Sequence, residues 1–160
     1  MTAFIPGSGA SIKSNTVEAA FLELIVRASI APRLTDAPED AALSYQISST
    51  TNTVTGSMVV PFTSSLTGGL VTTNPTPFLD ESGYTSGMGG DLASSGLIDN
   101  LVELAYKVNE LPAKAEAPAG GLDLSIDMDA KRITAAFTLP ITFSVGSDGV
   151  PSLTAADFLV

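Results

Sequence analysis

Residues 42–62, ALSYQISSTTNTVTGSMVVPF, and residues 121–141, GLDLSIDMDAKRITAAFTLPI, carry the same pattern, and that pattern decides the fold. In the first stretch Leu43, Tyr45 and Ile47 alternate with polar residues. The chain turns near Thr51–Asn52, and Val54, Met58, Val60 and Phe62 return on the same face. In the second, Leu122, Leu124, Ile126 and Met128 alternate against Asp123, Ser125, Asp127 and Asp129. After a turn near Ala130–Lys131 the chain returns through Ile133, Phe137, Leu139, Ile141, Phe143 and Val145. A period of two sends successive side chains to opposite faces, so each stretch predicts a β-hairpin with one buried face. Pro61 and Pro140 fall late in the returning strands, where a missing backbone donor predicts an edge or a bulge.

Upstream of each hairpin the period changes from two to that of a helix. Val17, Ala20, Phe21, Leu24, Ile25 and Ala28 form one apolar stripe, and Leu22, Val26 and Ile30 form a second beside it. A helix apolar over so much of its circumference needs cover on more than one side. Asn15, with Glu18 three residues on, reads as its capping box. Leu97, Leu101, Leu104, Ala105, Val108 and Leu111 repeat the stripe, with Asp99, Asn100, Glu103, Lys107 and Glu110 as a polar face. Glu23–Arg27 and Glu103–Lys107 have the spacing of helical ion pairs. Pro32 and Pro112 end both helices. Before each helix lies a glycine-bearing arm, PGSGASIKS (6–14) and SGMGGDLASS (86–95). After each hairpin Gly68–Gly69 or Asp148–Gly149 turns the chain, and each half closes on Phe-Leu.

Laid over each other, residues 1–80 and 81–160 match at roughly one position in five. Gly7 meets Gly87, Glu23–Leu24 meets Glu103–Leu104 and Pro32 meets Pro112. After one missing residue, Pro61 meets Pro140. The expected fold is α+β: an internally duplicated arm–helix–β-hairpin unit, with an antiparallel sheet of about four strands carrying two helices on one face. The first repeat, 1–80, has a helix at about 16–31 and a hairpin at about 42–66. The second, 81–160, has them at about 96–111 and 121–146. Each ends in a short tail, and one shared core is expected because a unit of this size buries little surface alone.

Composition excludes several kinds of chemistry. Charged residues are 15% of the chain and the net charge is −10. That balance opposes nucleic-acid binding, which needs clustered cations to displace counterions. There is no cysteine, hence no disulfide framework or thiolate metal site. The opening residues lack the basic start and apolar run of a secretory signal, and no stretch is apolar enough to span a membrane. Histidine is also absent, removing the commonest general base. Lys13 lies near Ser11 and Ser14, but the arm gives a serine–lysine pair no rigid support. Asp123, Asp127 and Asp129 read as an exposed acidic stripe in preference to a calcium site. Gly7–Ser8–Gly9 and Gly87–Met88–Gly89 follow no strand and lack the rest of a phosphate loop.

No catalytic, cofactor or metal site is therefore expected. A surface poor in charge and a helix too apolar for its own sheet instead predict a non-enzymatic, self-assembling structural subunit. The expected setting is a phage virion component, such as a tail, capsid-decorating or cement protein, assembled in the host cytoplasm. Its partners would be copies of itself and other structural subunits. The candidate interface is Phe4, Ile5, Leu22, Val26, Ile30, Phe78, Leu79, Phe158, Leu159 and Val160, with arm and tail passing between chains. The alternatives are a module binding a peptide or small apolar ligand in a groove between the halves, and a subunit of a cell-surface filament or surface layer. A hydrolase with unpaired carboxylates in a shared cleft ranks below both.

Overall fold

The computed structural model describes residues 4–48, 50–94, 96–110, 121–145 and 151–155. Helix α1 spans Val17–Ile30 and α2 spans Leu97–Glu110. The strands are β1 (Ala42–Ser48), β2 (Thr53–Thr67), β3 (Leu70–Pro75), β4 (Gly121–Asp127), β5 (Arg132–Val145) and β6 (Pro151–Ala155). The architecture is α+β, an antiparallel sheet with two helices on one face.

The central sheet has the order β1-β2-β5-β4. Its middle seam, β2 against β5, runs in register from Thr53↔Pro140 to Pro61↔Arg132. Side chains facing the helices are buried: Val54, Met58 and Val60 on β2, and Ile133, Ala135, Phe137 and Leu139 on β5. Thr55, Ser57, Thr134 and Ala136, on the opposite face, are exposed. The alternation is therefore used as written, with the apolar set under the helices and the Ser/Thr set outside. Phe137 meets Phe21 of α1 edge to face, ring centroids 5.4 Å apart. Gly56 makes room for this ring, since a Cβ there would come within 2.6 Å of it.

Each long strand changes partners at its proline. β2 pairs with β1 up to Val59 and with β5 up to Pro61; from Phe62 its ladder partner is β3. Likewise β5 leaves β2 after Pro140 and pairs with β6. Phe62 N–H donates to the Lys131 carbonyl and Ile141 N–H to that of Asn52. These two hairpin-turn residues both hold a positive φ, 57° and 52°. Among the described residues the sheet thus has six strands rather than four, and two ribbons extend from opposite ends of its central seam. Each proline is paired on one side only, beyond the last residue held by the outer strand, which is the expected edge position, and there the continuous strand passes to a new partner. Gly68 and Gly69, at φ 60° and 82°, make the turn between β2 and β3, where only glycine takes both left-handed positions without strain. Asp148–Gly149 lies outside the described residues.

Helix α1 begins one residue later than expected. Thr16 is the N-cap, its hydroxyl accepting from Ala19 N–H at 3.2 Å. Asn15 is not the cap, and Glu18 is fully buried instead of serving a capping box. The helix stops at Ala31, held extended at ψ 138° because Pro32 disfavours helical geometry in the residue before it. The two apolar stripes differ in fate. Phe21, Leu24 and Ile25 are fully enclosed, whereas exposure climbs along the other from Leu22, which is buried, to Ile30 at 78%. In α2 the predicted polar face is wrong at Asn100, which is 0% exposed.

Candidate functional site

The polar chemistry of the described residues gathers in the arms and in the carboxylates near α2, and apolar side chains are left uncovered elsewhere. The arms do not reach outward. Ser8 and Met88 exchange both backbone hydrogen bonds, 2.9 and 3.1 Å. On either side the pattern is reciprocal. Asp91 N–H donates to the Ile5 carbonyl and Ser11 N–H to the Thr85 carbonyl. The Asp91 carboxylate and the Ser11 hydroxyl each accept the return bond, from Ile5 N–H and Thr85 N–H. Gly7, Gly87 and Gly90 let the two backbones approach so closely that a Cβ on any of them would collide with the other arm.

Each arm is fastened to its helix by a glutamate. Glu23 accepts from the N–H groups of Lys13 and Ser14 and from the Ser14 hydroxyl, the last at 2.6 Å. Glu103 takes the same three donors from Ala93 and Ser94, again 2.6 Å to the hydroxyl. The expected helical ion pairs are thus replaced by arm clamps, because several charge-assisted bonds to backbone outweigh one solvated pair. Arg27 instead lies over the Tyr84 ring at 5.8 Å. Lys13 donates its ammonium to the Ala10 carbonyl, so no serine–lysine pair forms.

A polar node distinguishes the halves. Asn100 Oδ1 accepts from the Tyr84 hydroxyl at 2.5 Å and the Ser86 hydroxyl at 2.6 Å, while its Nδ2 donates to Ser94. The counterparts in the first half are Phe4, Pro6 and Ala20, all apolar. Burial pushes the Tyr84 hydroxyl up to about 12. The start of α2 is also special. The cap position is Gly96, at φ 112°, and Glu81 reaches it from outside to accept from Leu97 and Ile98 N–H at 2.8 and 3.3 Å. A side chain at Gly96 would meet the Glu81 carboxylate at 2.9 Å. The first half has Thr16 there, capping by itself.

Two clefts open beside the helices. One of about 210 Å³ is lined by Arg27, Ile30, Pro32, Glu81, Tyr84 and Leu97. The other, about 310 Å³, includes Asn74, Pro75, Asp99, Val102, Glu103 and Tyr106. They use non-equivalent positions of the two halves. Asp99 and Glu103 share the second cleft, but Glu103 is committed to its arm. Burial, with repulsion from Glu81 and Glu103, raises Asp99 from its ordinary value. Asp127 Oδ1 accepts from Asp129 and Ala130 N–H in the hairpin turn. Among the described residues no group of three or more acids, histidines or cysteines is placed to hold a metal ion.

The candidate interface residues divide sharply. Phe4, Leu22, Phe78 and Leu79 are buried within the chain, which corrects their placement on an outer surface. Phe78 and Leu79 belong to a tail that folds back onto the loop after α1, where Leu34 N–H donates to the Phe78 carbonyl and Asp80 N–H to that of Pro32. Arg33 lies over the Phe78 ring and donates to the Pro38 and Ala41 carbonyls. Within the chain, the first half's tail packs on the loop after α1 and its arm pairs with the second arm. Phe158, Leu159 and Val160 lie outside the described residues. Ile5, Val26 and Ile30 do face solvent, joined by Leu34 and by Met88 at 81% exposed. Met88, between two glycines, is the most exposed of these.

Among the described residues no helix is long and apolar enough to cross a membrane. Comparison with protein-family models, curated proteins and solved structures finds no match.

Proposed function

We propose that this chain is a non-enzymatic structural subunit that assembles with copies of itself, and that its two halves arose by internal duplication. The observation that carries the reading is the uncovered apolar surface at the end of α1. Val26, Ile30 and Leu34 are solvent-facing beside a cleft floored by Pro32 and Leu97. An isolated exposed leucine is ordinary, but a rising apolar stripe that ends at an open cleft has the composition of a contact surface. The matching clamps of Glu23 and Glu103, and the reciprocal arm pairing, support the duplication. A phage virion, as tail, decorating or cement protein, is the setting this reading favours; the other is a surface filament.

Light scattering of the purified chain over a concentration series tests the proposal directly. Association that Ile30→Asp weakens supports it. A strictly monomeric protein, with no ordered assembly in negative-stain images, defeats it.

A module binding a small apolar ligand is the second reading, favoured by the same cleft. It predicts ligand-dependent melting of a monomer, abolished by filling the cleft with Gly83→Trp.

A further inference from the structure

We infer that β1 pairs antiparallel with β1 of a second copy of this chain, closing a symmetric dimer with one sheet running through both molecules. This rests on the self-assembly proposed above and names a surface for it. β1 and β4 end the strand order of the central sheet, so each turns one row of backbone donors and acceptors outward. Among the described residues no strand pairs with either outer edge.

The two edges occupy equivalent places and carry different chemistry. β4 bears Asp123 and Asp127, both exposed, with Asp129 just beyond. At the matching positions the first half has Ser44, Ser48 and Thr50, and no charge occurs from Ala42 to Ser48. Charges on an edge strand oppose pairing because a partner strand must desolvate them. Two β4 edges paired about Ser125 would also set Asp123 against Asp127, in a chain whose net charge is already −10. Two β1 edges paired about Tyr45 set Leu43 against Ile47 and Ser44 against Gln46, apolar with apolar and polar with polar. Pairing β1 with β4 would bury the same carboxylates, and as a heterologous contact it would build a ring or an open filament rather than a symmetric pair.

Exposure is alike on the two edges, Ile47 at 45% and its counterpart Ile126 at 41%, so the choice between them rests on charge, and on β1 a partner strand would shield Ile47 with no carboxylate to desolvate. The pairing also repeats the mode of the β2–β5 seam, in which two hairpins already join antiparallel about a twofold axis.

The test is a double variant, Ser44→Asp with Ser48→Asp, which writes the β4 pattern onto β1. The sister strand holds those residues at the same positions, so an unchanged thermal melt is expected. In sedimentation velocity the wild-type chain should pass from monomer to dimer with a dissociation constant of about 10 µM, as suits a small edge contact. The variant should shift that constant at least about tenfold weaker. Hydrogen exchange of the wild type gives a second readout independent of any variant. Amides of 42–48 should gain protection with concentration, and those of 121–127 should not.

Association left unchanged by the variant, with exchange at 42–48 indifferent to concentration, overturns the β1 contact while leaving self-assembly through another surface intact. A wild-type chain that stays monomeric overturns both. Concentration-dependent protection at 121–127 overturns the choice of edge.

Discussion

Ser57 and Ala136 face each other across the β2–β5 seam, and in the alignment of the two halves each is the other's counterpart. The same holds for Ser8 and Met88, which exchange their backbone bonds between the arms. The β2–β5 register therefore reads the same from either end. The Asn100 node, the Glu81 cap and the acidic β4 edge lack equivalents at the aligned positions of the first half.

Gly56 pairs with Phe137 across the seam, and symmetry pairs Ala135 with Met58. A small residue sits opposite a large one in both. Gly56→Ala should destabilise the chain by about 1–3 kcal/mol, because the added methyl strikes the Phe137 ring and the Ser44 carbonyl in a packed core. Ala135→Gly creates no clash and should cost only about 1 kcal/mol. Chemical denaturation of the two variants measures the difference.

Asn100→Ala should cost about 2–3 kcal/mol, since it strands the Tyr84 and Ser86 hydroxyls. The triple variant Tyr84→Phe, Ser86→Pro, Asn100→Ala copies the apolar trio of the first half and should recover most of that loss. A cycle through the single variants would show strong non-additivity. Additive losses would remove the node as a unit.

Alkaline unfolding should report Tyr84. Its hydroxyl is held at about 12, from an ordinary 10, chiefly by burial. The folded state therefore keeps a proton that the unfolded chain releases. The associated stability is whole below pH 10 and falls as pH rises toward 12. Tyr84→Phe should flatten this part of the stability profile relative to wild type.

Asp99 shifts upward through burial and through Glu81 and Glu103, so its charged form opposes folding at neutral pH. Its contribution is greatest at low pH and is lost as pH rises through its folded value. Asp99→Asn should raise the melting temperature at pH 7, with a smaller gain at pH 4. The effect is modest because the group is only partly buried.

Glu23→Ala should release the first arm, exposing the amides of Lys13 and Ser14 to exchange. Glu103→Ala should do the same at Ala93 and Ser94. Unaltered protection at these amides would remove the clamps.

The helices and hairpins were legible because periodicity is written residue by residue. Expected spans of 16–31 and 96–111 became Val17–Ile30 and Leu97–Glu110, and the hairpins kept their turns at Asn52 and Lys131. β3 and β6 were missed because LVTTNP and PSLTA are short and contain proline, so they read as tail. Glu23 and Glu103 were recognised as counterparts, yet given the wrong partners: sequence spacing shows the base four residues on, but not an arm folding back. Asn100 looked like surface because nothing local discloses that Tyr84 and Ser86 converge on it. The outward reading of Phe4 and Phe78 failed for the same reason, since they fill a core built from distant segments.

The handover at Pro61 and Pro140 has a mechanical consequence. One ribbon leaves the seam beyond the Pro61–Arg132 end and the other beyond the Pro140–Thr53 end. Tension applied between their tips would travel along the two longest strands and load their common ladder in shear. Hydrogen bonds perpendicular to the strands must then yield together rather than one after another. A body gripped by its ribbons would thus meet traction along its strongest direction.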